Sequence, residues 1–488
     1  MLFNSYIFIL IFLPLCLTGY HLLNRFEFYR TGLFFLLGMS LWFYGYFNPW
    51  YLLLILLSIG VNFIVYKAMV YLRPRGSKVF KSLFILGVLM NLGALGYFKY
   101  TDFFIKNINT LFKLDHPMKN ILLPLGISFF TFQQISFLAD VYQSDAGKMP
   151  VYGLLEYASY VAFFPQLVAG PIVTHDTLVP QLTDPARKRI DWEKMAKGLA
   201  LFSLGLAKKV LLADAFGTVV NLCFSGIDFM NSSTALIAVI SYTFQIYFDF
   251  SGYSDMAIGL GWMLMTDLPV NFDSPYKADS IHDFWRRWHM TLTAFFRKYV
   301  YFPLGGSRKG KVRTCINTFI VFFLSGLWHG AGWTFILWGA MHGFMMIIES
   351  LFWEGIKKIP AVIRRILTFV FVSFAWVFFR ADSINDGIRM IKCILRLDFG
   401  SIEGVSGYYS SLIKKLMQYN GLTGVIPLSV PTVIFIATGF IIIFGMPNAR
   451  HIAEKSVKRK AAFVWLAALL CWCLFSFGGM TTFLYFNF

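Results

Sequence analysis

The residue of this chain best suited to chemistry is His329, which lies in the glycine-rich motif WHGAGW at residues 328–333. A neutral imidazole can accept a proton from a hydroxyl group and later return it, as general acid–base catalysis requires. A histidine in apolar sequence is also a functional candidate by default, because burying an ionisable group costs free energy. The alternative is a histidine that only joins two helices through a hydrogen bond.

The apolar segment before His329 is short for a membrane crossing. Counted from the residue before Cys315 to Leu327, its about 14 residues reach roughly 21 Å, against about 30 Å for a hydrocarbon core. Basic loops flank this segment and the next one, so the chain must enter and return on the same side. We therefore expect a re-entrant hairpin with His329 at its tip, where irregular backbone persists only inside protein or beside a cavity.

A second histidine, His289, lies in the aromatic and basic segment IHDFWRRWHM at residues 281–290. If this segment is one helix, Trp285, Trp288 and His289 share a face at the spacing i, i+3 and i+4. Tryptophan at headgroup depth with arginine towards phosphate is typical of an interfacial helix. The segment therefore predicts either a site that contains His289 or an anchoring helix without chemistry.

Polar residues also interrupt two apolar spans. The segment YFDFSGYSD at residues 247–255 contains two carboxylates, each of which needs a partner or a wet cavity if it is buried. A general-acid pair is one interpretation, and we favour a polar network that is structural or lines a tunnel. The segment FPQLVAGPI at residues 164–172 breaks a helix through its prolines and glycine. Such a break either lines a binding site or simply ends a span.

The composition indicates that these residues lie in a membrane protein. Of 488 residues, 57% are apolar and only 14% are charged, whereas soluble domains carry about 25% charged residues. The mean hydropathy of +0.63 agrees. We expect an all-α polytopic membrane protein that forms a single domain over residues 1–488, with about a dozen embedded helices including re-entrant segments.

The net charge of +18 comes from 43 basic and 25 acidic residues. Basic residues gather in the loops at residues 73–81, 187–197, 277–313, 357–365 and 450–460. Basic loops mark the cytoplasmic side of membrane proteins, so the charge needs no nucleic-acid partner. Counting spans outwards from these loops places both termini on the outer side.

The sequence lacks the motifs of several other functional classes. Ser325 and Gly326 do not form a serine-hydrolase elbow, because the glycine two residues before the serine is missing. No phosphate-binding GxxxxGK[ST] loop is present, which disfavours a nucleotide-driven pump. Inverted repeats with paired broken helices, as expected of a transporter, are not evident. The cysteines have no zinc-ligand spacing, so no metal is predicted.

The ordered motifs of the chain together resemble those of membrane-bound O-acyltransferases (MBOAT). These motifs are NFDSPY at 271–276, FWRRWHMTL at 284–292, YVYFPLGG at 299–306 and LSGLWHGAGW at 324–333. The segments at 164–172 and 247–255 resemble further landmarks of the family, so that the match covers residues 120–350. Within the family, VFFRADS at 377–383 and FLYFNF at 483–488 are similar to the bacterial alginate O-acetylation branch.

This resemblance implies the MBOAT fold with a central tunnel, a catalytic core at residues 120–350, and the C-terminal helices of the branch at residues 360–488. It also implies that His329 is the catalytic histidine and that His289 is the second. The donor is expected to be acetyl-CoA or another acyl thioester, with no bound cofactor. The residues expected to contact the donor or line the tunnel are Trp285, Trp288, Arg287, Asn271, Tyr253, Asp255, Ser251, Gln166 and Trp328.

We therefore expect an O-acyltransferase that moves an acetyl group across the bacterial cytoplasmic (inner) membrane for O-acetylation of cell-envelope polysaccharide or exopolysaccharide. The partners implied are membrane lipids, acyl-CoA, an SGNH-hydrolase-type acetyltransferase in the periplasm or outside the cell, and polysaccharide indirectly. Two alternatives stay open at this point. One is a family member that acylates teichoic acid, a lipid or a peptide, and the other is a transporter or flippase without acyl chemistry.

Overall fold

The computed structural model describes residues 1–73, 77–145, 151–402, 429–477 and 483–484. All regular structure in this part of the chain is helical, which confirms the all-α prediction. Of the terminal FLYFNF motif, residues 485–488 lie outside the described residues. In chain order, the helices are α1 (Leu13–Arg25), α2 (Tyr29–Gly45), α3 (Pro49–Leu72), α4 (Ser77–Leu95), α5 (Thr101–Phe112), α6 (Ile127–Gln143), α7 (Leu154–Ala162), α8 (Phe164–Leu167), α9 (His175–Thr183), α10 (Trp192–Ala207), α11 (Asp214–Ser225), α12 (Ser232–Met263), α13 (Ile281–Arg287), α14 (Met290–Phe296), α15 (Lys311–His329), α16 (Trp333–Ile356), α17 (Ala361–Arg380), α18 (Ile384–Leu395), α19 (Ser429–Phe440), α20 (Ala449–Ser456) and α21 (Lys460–Phe475).

The chain divides into two compact units. The first comprises residues 1–203, 253–270 and 453–466, and the second comprises residues 204–252, 271–452 and 467–488. The prediction of a single membrane domain with a core at residues 120–350 stays a prediction.

Several helices are long and apolar enough to cross a membrane. Among the described residues, five meet this criterion by length and composition, and a sixth arises if one pair bent by 76° is a single broken span. The five spans are Phe8–Arg25, Pro49–Leu72, Lys78–Phe112, Trp333–Ile356 and Ala361–Arg380. The chain is therefore a multi-pass membrane protein, while the expected count of about a dozen embedded segments remains a prediction.

The predicted break near residue 164 is present in the first unit. Helix α7 ends at Ala162, and the short helix α8 begins at Phe164 with Pro165 in its first turn. Phe163 between them has an extended ψ of 107°, which interrupts the helix. Pro165 suits this position because its missing N–H is an orphan in the first turn of any helix.

Helix α12 is the longest helix in the described part of the chain, with 32 residues from 232 to 263. In the first unit, glycine allows α12 to approach α10 closely. A Cβ atom on Gly198 would lie 2.7 Å from the carbonyl oxygen of Gly259, and one on Gly259 would lie 2.6 Å from the carbonyl oxygen of Gly198. Small residues at such positions are typical of helix packing in membranes.

Helices α15 and α16 form a hairpin, with His329 as the last residue of α15 and only residues 330–332 between the two helices. That this hairpin is re-entrant in the membrane stays a prediction. The predicted length of the first arm is wrong. Helix α15 has 19 residues, or about 28 Å at 1.5 Å per residue, because it begins at Lys311, before the apolar stretch. A Cβ atom on Gly326 or Gly339 would collide with backbone of the opposite arm, so both glycines permit the close crossing.

Candidate active site

The two histidines singled out from the sequence lie together in the second unit. The rings of His289 and His329 are 6.3 Å apart between centroids, at an interplanar angle of 61°. Both side chains are buried, with exposed fractions of 0% and 3%. The structure thus brings the two motifs into one site.

The backbone around His289 differs from the predicted continuous helix. Helix α13 ends at Arg287, Trp288 is extended with φ −101°, and His289 adopts a left-handed conformation with φ 44°. The prediction that Trp285, Trp288 and His289 share one helical face is therefore wrong. Left-handed backbone at a residue other than glycine is uncommon and persists when the surrounding structure holds it in place.

The segment that holds this turn is the one that carries the NFDSPY motif. The N–H of Asp273 donates to the carbonyl oxygen of Arg287 at 2.9 Å, and the N–H of Met290 donates to the carbonyl oxygen of Asn271 at 3.0 Å. In a continuous helix, the carbonyl group of Arg287 and the N–H of Met290 would find their partners within the helix. Here residues 271 and 273 supply those partners. The side-chain oxygen of Asn271 also lies 3.1 Å from Nδ1 of His289.

Aromatic rings form the walls around the histidine pair. Trp328, Trp338 and Phe379 contact the ring of His329 at centroid distances of 4.9, 5.1 and 5.2 Å. Phe250 contacts the ring of His289 at 4.7 Å. Such walls exclude water, and electrostatic interactions are stronger in the resulting low-dielectric environment.

Burial also determines the charge state of His289, which lies outside the helices long enough to span a membrane. Desolvation lowers the pKa of His289 to about 3. The ring is therefore neutral at physiological pH and has one nitrogen lone pair with which to accept a proton. A neutral imidazole is the protonation state in which a histidine can act as a general base.

A third histidine, His342, adjoins this site and was missed in the sequence analysis. His342 is fully buried on α16, and its ring contacts Trp338 at 5.1 Å. The indole N–H of Trp285 donates to Nδ1 of His342 at 3.2 Å. The signal was available, because an ionisable residue within the apolar span 333–356 is a functional candidate by default.

Comparison with known proteins identifies the family of the chain. The family model described as MBOAT, membrane-bound O-acyltransferase family, matches residues 76–385, which include both site motifs. The chain belongs to the MBOAT family. The resemblance drawn from the motifs is thereby confirmed, and the protein is an O-acyltransferase.

The relatives indicate to which branch of the MBOAT family the chain is similar. The chain is 36% identical to a peptidoglycan O-acetyltransferase of Helicobacter pylori over 100% of this chain and 98% of the relative. It is 38% identical to a probable alginate O-acetylase, AlgI, of Pseudomonas aeruginosa over 81% of this chain and 75% of the relative. A teichoic acid D-alanyltransferase of Bacillus subtilis is 27% identical over 54% of this chain.

The other predicted residues of the second unit occupy different positions around the histidines of this MBOAT protein. The buried Trp328 ring lies 6.0 Å from that of His289, and Trp288 packs on Phe272 at 5.0 Å. Arg287 pairs instead with Asp283, at 2.9 Å between Nε and Oδ2, and is about one third exposed. Ser251 is buried, with its hydroxyl 3.4 Å from Nζ of Lys208.

Three predicted residues belong to the first unit. Gln166 is buried in the broken helix, where its Nε2 donates to the carbonyl oxygen of Tyr160 at 2.7 Å. The buried ring of Tyr253 stacks on Phe3 at 4.7 Å, and Asp255 is also buried. Their assignment to the tunnel of an MBOAT enzyme stays a prediction.

Asp249, the other carboxylate of the segment 247–255, belongs to an ion cluster. Nζ of Lys209 lies 2.6 Å from Oδ1 of Asp249 and 2.8 Å from Oδ1 of Asp214. The backbone N–H of Leu484 donates to Oδ2 of Asp249 at 2.9 Å. Asp249 thus has the partners that a buried carboxylate requires. Whether the polar network of residues 247–255 is structural or lines a tunnel stays open.

A basic loop follows α14 and precedes the hairpin. Asn317 holds its end, because Nδ2 of Asn317 donates to the carbonyl oxygen of Gly306 at 2.9 Å. The exposed cations of residues 297–313, a segment that continues α14 and ends in the first turn of α15, are Arg297, Lys298, Arg308, Lys309, Lys311 and Arg313. Several cations on one loop suit an anionic substrate that carries phosphate groups.

Proposed function

We propose that this MBOAT enzyme takes an acetyl group from acetyl-CoA on the cytoplasmic side and delivers it across the membrane for O-acetylation of an envelope polysaccharide. The observation that carries the proposal is the buried pair of His289 and His329 within one aromatic enclosure. An acyl transfer from a thioester to a hydroxyl needs a base beside the hydroxyl and a site from which water is excluded, since water would compete as acceptor.

In the proposed reaction, His329 removes the proton of the acceptor hydroxyl while the hydroxyl oxygen attacks the thioester carbonyl carbon. The new C–O bond forms, the C–S bond breaks, and the leaving thiolate receives the proton that the histidine took. His289 polarises the thioester carbonyl or relays the proton, because it lies against His329. The exposed cations of residues 297–313 hold the phosphate groups of the donor.

The relatives favour peptidoglycan among the possible final acceptors. The peptidoglycan O-acetyltransferase aligns over the full chain, whereas the alginate O-acetylase aligns over 81% of it. The teichoic acid D-alanyltransferase covers 54% of the chain at lower identity, which disfavours D-alanine as the transferred group. We therefore propose acetyl as the group and a glycan of the peptidoglycan type as its destination.

The proposed setting is the cytoplasmic membrane of a bacterium, with the basic loops inside and both termini outside. The acetyl group then passes to an SGNH-hydrolase-type acetyltransferase on the outer side, which modifies the polysaccharide. The support for this orientation is the distribution of basic residues over the loops of the chain.

The test is transfer of radiolabelled acetyl from acetyl-CoA in inside-out vesicles, with the wild type compared with His329→Ala. Label should reach the vesicle interior with the wild type. The rate of this transfer should be at least about 1,000-fold lower with the variant, because catalytic residues act as a unit that fails when the base is removed. Insertion and folding of the variant are checked by its thermal unfolding in detergent. Equal transfer by a folded His329→Ala protein would overturn the catalytic assignment.

A further inference from the structure

Asn271 occupies an unusual position for a residue predicted only to contact the donor or line the tunnel. It is fully buried, and its side-chain oxygen faces three polar groups of the turn at His289. Oγ1 of Thr291 donates to this oxygen at 3.0 Å, the N–H of Thr291 donates at 3.4 Å, and Nδ1 of His289 lies at 3.1 Å. A side chain 18 positions away in the chain therefore contacts the histidine ring directly.

The contact with Thr291 identifies the Asn271 atom that faces the histidine. A backbone N–H can only donate a hydrogen bond, so the atom that it meets must be the oxygen of the amide and not the nitrogen. An amide oxygen can only accept, so Nδ1 of His289 must carry the hydrogen that the 3.1 Å contact needs. In a neutral ring the lone pair then lies on Nε2, because the hydrogen bond of one ring nitrogen sets the state of the other.

The backbone of Asn271 adds to this control. Its carbonyl oxygen accepts from the N–H of Met290, the residue that follows His289. The same residue thus supports the left-handed turn of the histidine and contacts its ring. Positioning of a catalytic base by a third group is the arrangement by which hydrolases orient their histidines.

We propose that Asn271 is a positioning residue that fixes the proton of His289 on Nδ1 and so presents the lone pair of Nε2 to the acyl-transfer step. This inference rests on the proposed function, and of the two roles proposed there for His289 it selects the relay of a proton, because a nitrogen lone pair cannot polarise a carbonyl group. The group that Nε2 serves is the acceptor hydroxyl or the ring of His329, whose centroid lies 6.3 Å from that of His289.

The experiment compares Asn271→Leu, which removes the acceptor oxygen, with Asn271→Asp, which keeps one. Purified protein in detergent is assayed for the rate of acetyl transfer from acetyl-CoA against pH. Asn271→Leu should lower the maximum rate by roughly 10- to 100-fold, as is usual when the partner of an essential histidine is removed. Asn271→Leu combined with His289→Ala should be no slower than His289→Ala alone, because the two residues act as one unit.

Asn271→Asp should keep most of the rate at high pH. Its carboxylate favours the charged form of His289 and raises the pKa of that ring. A protonated ring cannot accept a proton, so the rate of this variant should fall as the pH drops through the raised pKa. A purely structural role would instead lower stability and leave the pH profile in place.

The matched control is Asn62→Leu in the first unit, where Nδ2 of Asn62 donates to Oδ1 of Asn91 at 3.2 Å. Replacing this buried asparagine should lower thermal stability and leave the pH dependence of the transfer rate unchanged. The tautomer itself is read from nitrogen NMR of protein with ¹⁵N-labelled histidine, which needs no activity. If the wild-type protein transfers no acetyl group, the proposed function is contradicted, whereas the tautomer of His289 can still be tested by NMR. A His289 ring with its proton on Nε2, or unchanged kinetics in a folded Asn271→Leu protein, would overturn the role of Asn271.

Discussion

The histidine pair and the Lys209 cluster are both buried in the second unit, but the cluster contains paired charges and the pair contains a neutral ring. Lys209 and Asp249 are ionic side chains, 3% and 2% exposed, that lie 2.6 Å apart and neutralise each other. His289 and His329 meet as rings among aromatic side chains, and burial keeps His289 neutral by lowering its pKa to about 3. A buried charge must keep its partner for the fold to stay stable, whereas a neutral imidazole can take up a proton during a reaction.

Substitutions in the two clusters should therefore affect different properties, stability in one and turnover in the other. Breaking the ion pair should affect the folded state, because it leaves a buried carboxylate without its counter-ion. Changes near the histidines should affect turnover more than folding, because neutral side chains leave no uncompensated charge behind.

The largest effect on stability is expected for Lys209→Met. Removal of one partner of a buried ion pair typically costs about 3–5 kcal/mol, because the other charge stays buried. Thermal unfolding in detergent should show a much lower midpoint, while the transfer rate per folded molecule stays close to that of the wild type. Lys209→Met combined with Asp249→Leu should recover much of the stability. An unchanged midpoint in the single variant would contradict the role given to the ion cluster.

An intermediate effect is expected at His342, whose Nδ1 accepts from the indole N–H of Trp285. His342→Phe leaves this buried donor unsatisfied, at a cost of about 1–3 kcal/mol, and should slow transfer about tenfold if the histidine orients the wall of the site. His342→Asn can place an amide oxygen near the position of Nδ1 and should retain most of the rate. The two variants are compared by the transfer rate and KM for acetyl-CoA. Equal losses in both would show that the hydrogen bond to Trp285 is not what matters.

The smallest effect is expected in the basic loop. Arg308→Gln combined with Lys309→Gln should raise KM for acetyl-CoA about threefold at low salt and less at high salt, because exposed charges are screened. The maximum rate should not change, since the loop binds the donor and does not take part in the chemistry. Lys358→Gln combined with Arg365→Gln is the control, because these exposed cations lie in the turn before α17 and near the start of α17. A salt-independent KM would mean that the loop at residues 297–313 does not bind the anionic donor.

Much of the fold follows from local patterns in the sequence. Apolar runs of the required length predict membrane helices without any knowledge of their packing, and glycine at residues 330 and 332 predicts the turn of the hairpin. The length of α15 could not be obtained in this way, because counting apolar residues leaves out the charged first turn from Lys311. The helix boundary depends on backbone hydrogen bonds, to which apolar character is only a guide.

In the candidate site, too, some features follow from the sequence and others depend on the tertiary structure. The sequence by itself singled out both histidines as candidates, because burying an ionisable residue in an apolar or interfacial segment costs free energy. Its ordered motifs identified the family. Only the tertiary structure brought the two rings together, broke the helix after Arg287 and set Asn271 against His289. The physical reason is that helical periodicity reports which residues share a face of one segment. The left-handed turn at His289 depends instead on hydrogen bonds from a segment distant in the chain, which no local pattern encodes.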